Sequence, residues 1–376
     1  MNHHTQTALI DRIQAHRAAG RGTDTAPQSM LLPTSAYTDP DRFDRERQLL
    51  ATMPGVAGLS GLLPGPDTHA TVEISDRSVI VTRDSNGEIH AMLNVCRHRG
   101  AEVTKGCGEA TLLRCPYHGW TYELDGASAA RRGEQHFDDR PANGLTSVPV
   151  LERDGLIWVN PDPAGTIPEQ PLTGAEAELA PFDLGSYRHF GTRSFTRDIN
   201  WKLAVDTFCE AYHVAILHRD TLAPMIHSDF ALFDAAGHHG RMVAVRRSVT
   251  ELDELPPDQR SLLPHATILW FLVPNTVLIH QQDHVQLYQS RPGATPDQAH
   301  LTVSVYVPAD SPRSDAHWER NFDLLVEVTD TEDFATAAGI QRNFHAAAQT
   351  HVTFGRNEPA LQHYHRSLLT LLGEPT

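Results

Sequence analysis

Two stretches, Asn94-Val-Cys-Arg-His-Arg-Gly100 and Cys115-Pro-Tyr-His-Gly-Trp120, decide how this chain is read, with sixteen residues between His98 and Cys115. Each holds one cysteine and one histidine, as C-x-H and then C-x-x-H, at the end of a strand-like run where a loop can present ligands. Two thiolates and two imidazoles can hold zinc tetrahedrally. They can also divide between two irons, thiolates on one and imidazoles on the other. Structural zinc sites usually pair like with like, so the mixed halves favour two irons. Four residues of mere core filler are a weaker reading still.

The flanking texture is short strands with turn signals: 70–74, 78–82, 89–95, 112–115, 120–124, 148–151 and 155–159. Asp84-Ser85-Asn86-Gly87 is hairpin chemistry, because Asn-Gly tolerates the positive φ of tight turns. The spacing predicts a small, mostly antiparallel β domain over 45–160. Asn160-Pro161-Asp162-Pro163 and the proline-spaced segment to Pro171 read as a linker. Upstream, residues 6–18 and 41–50 read as helices, the second behind an Asp39-Pro40 cap. Residues 1–44 are expected to pack on a second domain, 161–376, of mixed α+β texture. There strand-like runs (193–199, 242–250, 266–273, 277–280, 285–290, 301–307) alternate with helical ones (from Trp201, 318–328, 333–344, 358–372).

The bulk numbers agree with two soluble domains: 376 residues, 40 % hydrophobic and 21 % charged. A net charge of −16 argues against nucleic acid as a partner. The first 21 residues carry charges and no apolar block, and the longest apolar run, Ile268 to Val273, is strand-sized. A cytoplasmic location and no membrane partner are therefore expected. Four cysteines are too few for a disulfide framework in a chain of this length, so those clustered with histidine point to metal. Cys107, between the halves, reads as a plain buried or loop thiol.

A second constellation lies in Asn200-Trp201-Lys202 through Glu210, His213 and His218. Asn200 is a helix cap, and Glu210 and His213 share a helical face. His213 and His218 differ by about 140° on an ideal helix, so they converge only if the helix bends, ends or carries a π-type turn. Two histidines and a carboxylate with open positions are the usual cage for a mononuclear Fe(II) that activates O₂. Thr329-Asp330-Thr331-Glu332-Asp333 offers the carboxylate at what reads as a helix start, where acids are also favoured electrostatically. Asp333 is the first choice, then Glu332, then Asp330.

From about Tyr37 to Leu372 the chain resembles the α-subunit of the Rieske non-haem iron oxygenases, the ring-hydroxylating oxygenase family. The resemblance is carried by both Cys/His stretches, Asn200-Trp-Lys202, Glu210-Ala-Tyr-His213, Glu332-Asp333 and Phe354-Gly-Arg-Asn-Glu-Pro359. It implies an α+β chain: an N-terminal antiparallel β Rieske domain and a helix-grip catalytic domain with an antiparallel sheet. It implies a [2Fe–2S] cluster on Cys96, His98, Cys115 and His118, and a mononuclear iron on His213, His218 and Asp333. It further implies a head-to-tail homotrimer in which Glu210 bridges His213 to His118 of a neighbouring copy, as carboxylates orient ligand imidazoles. Electrons are expected from NAD(P)H through a reductase, directly or by way of a ferredoxin. Respiratory-chain relatives carry a disulfide between the two loops; Arg97, Arg99, Pro116 and Tyr117 leave no place for one here. Many relatives have aspartate where Glu210 stands and asparagine where Thr207 stands, while glutamate occurs among enzymes similar to choline and carnitine oxygenases. Mono- or dihydroxylation of a small aromatic compound is the first expectation. A monooxygenase or demethylase acting on a quaternary or methylated amine is the second, and a Rieske electron carrier without oxygenase activity the third. Phe208, Phe271 and Val273 are expected in the pocket wall.

Overall fold

The computed structural model describes residues 1–138 and 141–375, which separate into two compact units. One consists of 47–171 and 183–189; the other of 1–46, 172–182 and 190–376.

The first unit is the expected β domain with later boundaries. Strands Thr68–Ile74, Arg77–Arg83 and Ile89–Leu93 form an antiparallel meander edged by Cys107–Glu109. Gly87, at φ 84°, takes the positive angle the hairpin requires. A second, three-stranded sheet runs Leu113–Arg114, Thr121–Tyr122, Ser128–Ala130, and a third pairs Val150–Arg153, Leu156–Val159 and Gly55–Leu59. Cys96 and Cys115 are buried in a core with Ile80, Met92, Leu113, Trp120 and Tyr122. The segment read as a linker belongs to this unit, because buried Asn160 ties it down, its amide donating to Thr52 O (3.1 Å) and Thr166 O (2.9 Å). Cys107 is an exposed edge-strand thiol, not a buried one.

The second unit is built on a seven-stranded sheet. Its order is Tyr187–Arg197, Ala299–Pro308, Val285–Pro292, Thr276–His280, Ala266–Leu272, His239–Arg246, Ile226–Ala236. Successive pairs from Ala299–Pro308 to Ile226–Ala236 are antiparallel. The strand predicted over 242–250 stops at Arg246, and residues 247–254 turn in 3₁₀ form. One helical column, Asp315–His345, carries a π-helical turn at Thr329–Phe334. The acids at 330–333 thus lie mid-column and not at a helix start. The C-terminal helix, Pro359–Leu371, buries its apolar face and donates from the Tyr364 hydroxyl to Pro274 O (3.0 Å). The N-terminal helix, His3–Ala18, belongs to this unit: Gln6 Oε1 accepts from the Leu262 amide (2.8 Å). No helix among the described residues is long and apolar enough to cross a membrane.

A short helix, Trp201–Asp206, positions the second constellation. Asn200 caps it, accepting from Lys202 N (3.0 Å). Lys202 is fully buried and donates to Glu46 (2.5 Å), which also accepts from the Trp201 indole (2.9 Å). At the other end Asp206 accepts from the Tyr37 hydroxyl (2.7 Å) and meets His365 Nε2 (2.8 Å). Of the three options (a bend, an end or a π-type turn), the helix takes the second and ends at Asp206.

Candidate metal centres and substrate cavity

The two Cys/His loops repeat one backbone design. Cys96 N–H donates to Ala101 O and Cys115 N–H to Trp120 O, both at 2.8 Å. The amides of Gly100 and Gly119 donate back to the two cysteine carbonyls at 2.9 and 3.0 Å. Both glycines have positive φ, +79° and +75°, which a side chain would strain. The result is a pair of tight loops that bury each cysteine and hold each histidine half-exposed.

His98 Nδ1 and His118 Nδ1 lie 3.1 Å apart, and His98 stacks on Trp120 at 4.8 Å between centroids. The Tyr122 hydroxyl sits 3.3 Å from Cys96 Sγ and accepts from the Arg97 amide (3.0 Å). Burial, then the neighbouring thiols, pushes the Tyr122 pKa up, so the phenol keeps its proton and can donate to a thiolate. Burial, then His118 and Arg99, lowers the His98 pKa and favours the neutral ring a metal needs.

Two groups of three among the described residues bring ligand atoms within 4.8 Å of one another, His213–His218–Asp333 and Asp84–Glu88–His90; the loop quartet supplies neither. A single tetrahedral zinc needs all four donors within bonding reach of one point. Cysteines paired apart from paired histidines suit two irons instead, so the donor set fits a binuclear cluster.

In the second unit, His218 Nε2 lies 3.0 Å and His213 Nε2 3.6 Å from Asp333 Oδ1. Each histidine's other nitrogen is held by a carboxylate. Glu210 Oε1 meets His213 Nδ1, while Glu210 Oε2 accepts from the amides of Tyr212 and His213. Glu332 Oε2 meets His218 Nδ1 (2.5 Å) and accepts from the Thr221 hydroxyl (3.0 Å). Burial works against a charged His218, but Asp333 and Glu332 outweigh it and raise its pKa. Two Nε2 atoms and one carboxylate oxygen converging, with both outer nitrogens anchored, fit an iron ion. The three acids ranked from sequence thus separate by environment: Asp333 joins the histidines, Glu332 orients His218, and Asp330 pairs with Arg197 at 2.5 Å.

A cavity of about 380 Å³ opens on this group. Phe208 lines it, and its ring meets that of Tyr288 at 4.5 Å. Phe271 and Val273 do not. Phe271 follows Leu269, which does line it, by one pleat and pairs with Val277, so it packs past the cavity's end. Val273 lies at the strand end, its amide donating to His239 (3.1 Å). Residues missed in the sequence include Tyr288, Arg246, Gln281 and Gln286, all in the wall. For Arg246 a signal existed: an arginine that closes the apolar run Met242-Val-Ala-Val. Glu210, His213 and Asp333 also line a second cavity, of about 240 Å³, with Leu217, Phe354 and Glu358.

A cluster-binding β unit followed by a helix-and-sheet unit with a two-histidine, one-carboxylate centre defines a class of two-centre redox proteins. The Rieske [2Fe-2S] domain model matches residues 56–147, and the model of the ring hydroxylating alpha subunit catalytic domain matches 184–374. The chain belongs to the ring-hydroxylating oxygenase α-subunit family, and its cofactors are a Rieske [2Fe–2S] cluster and a mononuclear non-haem iron.

The glycine betaine monooxygenase oxygenase subunit of Chromohalobacter salexigens is 33 % identical over 201 residues, 53 % of this chain and 45 % of that protein. The carnitine monooxygenase oxygenase subunit of Escherichia coli K12 is 31 % identical over 200 residues, 51 % of this chain and 53 % of that protein. The chain thus spans about half the length of the curated relatives it matches. The crystal structure of the quaternary ammonium Rieske monooxygenase CntA with an inhibitor superposes with a TM-score of 0.78 at 20 % identity, covering 93 % of this chain and 96 % of that one. At that identity the likeness is one of fold.

Proposed function

We propose that the chain is the oxygenase component of a Rieske monooxygenase acting on a quaternary or methylated amine. A reductase drawing on NAD(P)H, directly or through a ferredoxin, would supply its electrons. The carrying observation is the His213–His218–Asp333 group opening on a 380 Å³ cavity, three ligand side chains on one side and room for a small molecule on the other. A plain electron carrier has no use for that group or that cavity.

Cys96, His98, Cys115 and His118 would hold the cluster, and His213, His218 and Asp333 the iron. When bound, the cluster supplies single electrons and the iron the place where O₂ is reduced. The chain's own residues do the positioning. Glu210 and Glu332 fix the tautomer and plane of the two histidines by holding their Nδ1 atoms. Glu210 keeps 13 % of its side chain exposed and borders the second cavity, so His118 of a neighbouring copy has space to reach it. A head-to-tail homotrimer supplies such a neighbour.

The amine takes the place of the small aromatic substrate first expected, and monooxygenation that of dihydroxylation. Curated relatives named for glycine betaine and carnitine support it. So does the wall: the Phe208 and Tyr288 rings and the carboxylates of Glu210 and Asp333 line one cavity. Ring faces and carboxylates attract a cation, as does a body of net charge −16.

The test is purified, iron-loaded protein with a matched reductase, screened for substrate-dependent NADH and O₂ consumption. Carnitine, glycine betaine and choline form one panel, benzoate and naphthalene the other. Coupled consumption with a member of the first panel is expected. Coupling confined to the second would return the aromatic reading.

A further inference from the structure

Arg246 ends the strand His239–Arg246 and points its guanidinium into the wall of the large cavity. Its Nη2 donates to Gln281 Oε1 (2.8 Å) and Thr267 Oγ1 (3.3 Å), both neutral acceptors. Its Nε is buried and has no hydrogen-bond partner. Among the described residues no carboxylate stands within ion-pair distance. Arg241, on the same strand, also has a buried Nε without a partner, but its other nitrogens pair with Glu178 and Asp234. Burial lowers the Arg246 pKa, with Asp283 alone acting the other way. An unpaired cation withdrawn from water is costly, and an anion laid against its fork relieves that cost.

Strand register places this guanidinium relative to the iron-binding group. Tyr288 stands at the iron-binding end: its ring meets Phe208, its hydroxyl lies 3.2 Å from Thr329, and Asp333 acts on its titration. Tyr288 pairs with Val277, whereas Gln281 lies level with His284, four residues away along the same pair of strands. That is about 13 Å at ordinary strand rise. A small ligand that reaches both ends is therefore extended.

We propose that Arg246 anchors a substrate carboxylate, so that the substrate is an elongated zwitterion with a methylated ammonium at the iron-binding end and a carboxylate several bonds away. The ammonium half of this statement rests on the function proposed above; the anchor rests on Arg246 alone.

Calorimetric titration of the anaerobic iron-loaded protein separates the two. The probes are 4-(trimethylammonio)butyrate, choline (the cation without the carboxylate) and 4-phenylbutyrate (the carboxylate without the cation). Arg246→Gln should weaken 4-(trimethylammonio)butyrate by about 10- to 150-fold, the range of a hydrogen bond to a charged group. Choline should change by less than about twofold. Arg246→Lys should fall between, keeping the charge and losing the fork. Arg246-dependent binding of 4-phenylbutyrate without binding of either amine would keep the anchor and discard the amine. Unchanged affinity for the carboxylates in Arg246→Gln, equal weakening of choline, or no carboxylate binding by the unaltered protein would each overturn the anchor.

Discussion

At Glu210 one carboxylate fixes both a side chain and the backbone that carries it, meeting His213 Nδ1 while accepting from the amides of Tyr212 and His213. Glu210→Gln retains the shape and loses the charge. Both metal sites should stay filled while turnover falls by about 100-fold, read as iron per chain against single-turnover rate. A wild-type rate would remove Glu210 from the path. Glu332→Ala should weaken iron binding by about 10- to 100-fold, because His218 loses its anchor. Asp330→Asn should leave iron alone and cost within about 1 kcal/mol, since its pair with Arg197 is partly exposed. Chelator competition on the two variants checks this, and equal iron loss in both would contradict it. The loop quartet was legible in the sequence because each half is local and few residue types bind iron. The choice among Asp330, Glu332 and Asp333 was not, because neighbours with one chemistry are told apart only by the turn that aims them. The role of Arg246 was missed because it depends on which carboxylates, among the described residues, stand outside ion-pair distance, and that is settled by the packing of several strands.

Elements explain which of the three ways open to the histidine pair the chain takes: the helix ends before it reaches them. A helix running from Trp201 past His218 fits the pattern of residues, yet it stops at Asp206. The Tyr37 hydroxyl and His365 hold the Asp206 carboxylate, the Thr207 hydroxyl donates back to Ala204 O (3.1 Å), and Glu210 takes amides that a helix would use internally. Side-chain competition for backbone groups ends helices in this way, and it leaves His213 and His218 free to converge. A π-type turn does occur, but in the other element, at Thr329–Phe334, where it aims Asp333. Such turns are short wide loops within a helix and are frequent at functional sites. Deleting Thr331 should restore α winding and swing Asp333 by about 100° about the column. The variant should lose the mononuclear iron while keeping its helical circular dichroism and the visible spectrum of the cluster. Full iron content would show that the turn is not what places Asp333.

For the whole molecule, the two-unit plan was legible from texture, and its boundaries moved where single side chains hold on: Asn160 keeps the proline segment with the first unit, and Glu46, paired with Lys202, stays with the second. The substrate was not legible, since the cavity wall is assembled from residues scattered between Thr207 and Asp333. The proposed head-to-tail trimer needs a contact surface on each unit. Beside the histidine loops, Tyr117 is 60 % exposed, with Val95 and Leu112 also exposed; beside Glu210, Tyr212 is 60 % and Ile216 84 % exposed. Apolar groups flanking two polar contact points are what an interface core with hydrogen bonds at its centre presents, and contacts between unlike patches close into a ring. In the proposed trimer, charge placed there should open the ring and leave both metals in place. Leu112→Glu and Ile216→Glu should each shift sedimentation from the proposed trimer towards monomer and lower turnover together with it, with cluster spectrum and iron content unchanged. A monomeric variant that turned over at the wild-type rate would show that His118 and Glu210 need not meet across a subunit boundary.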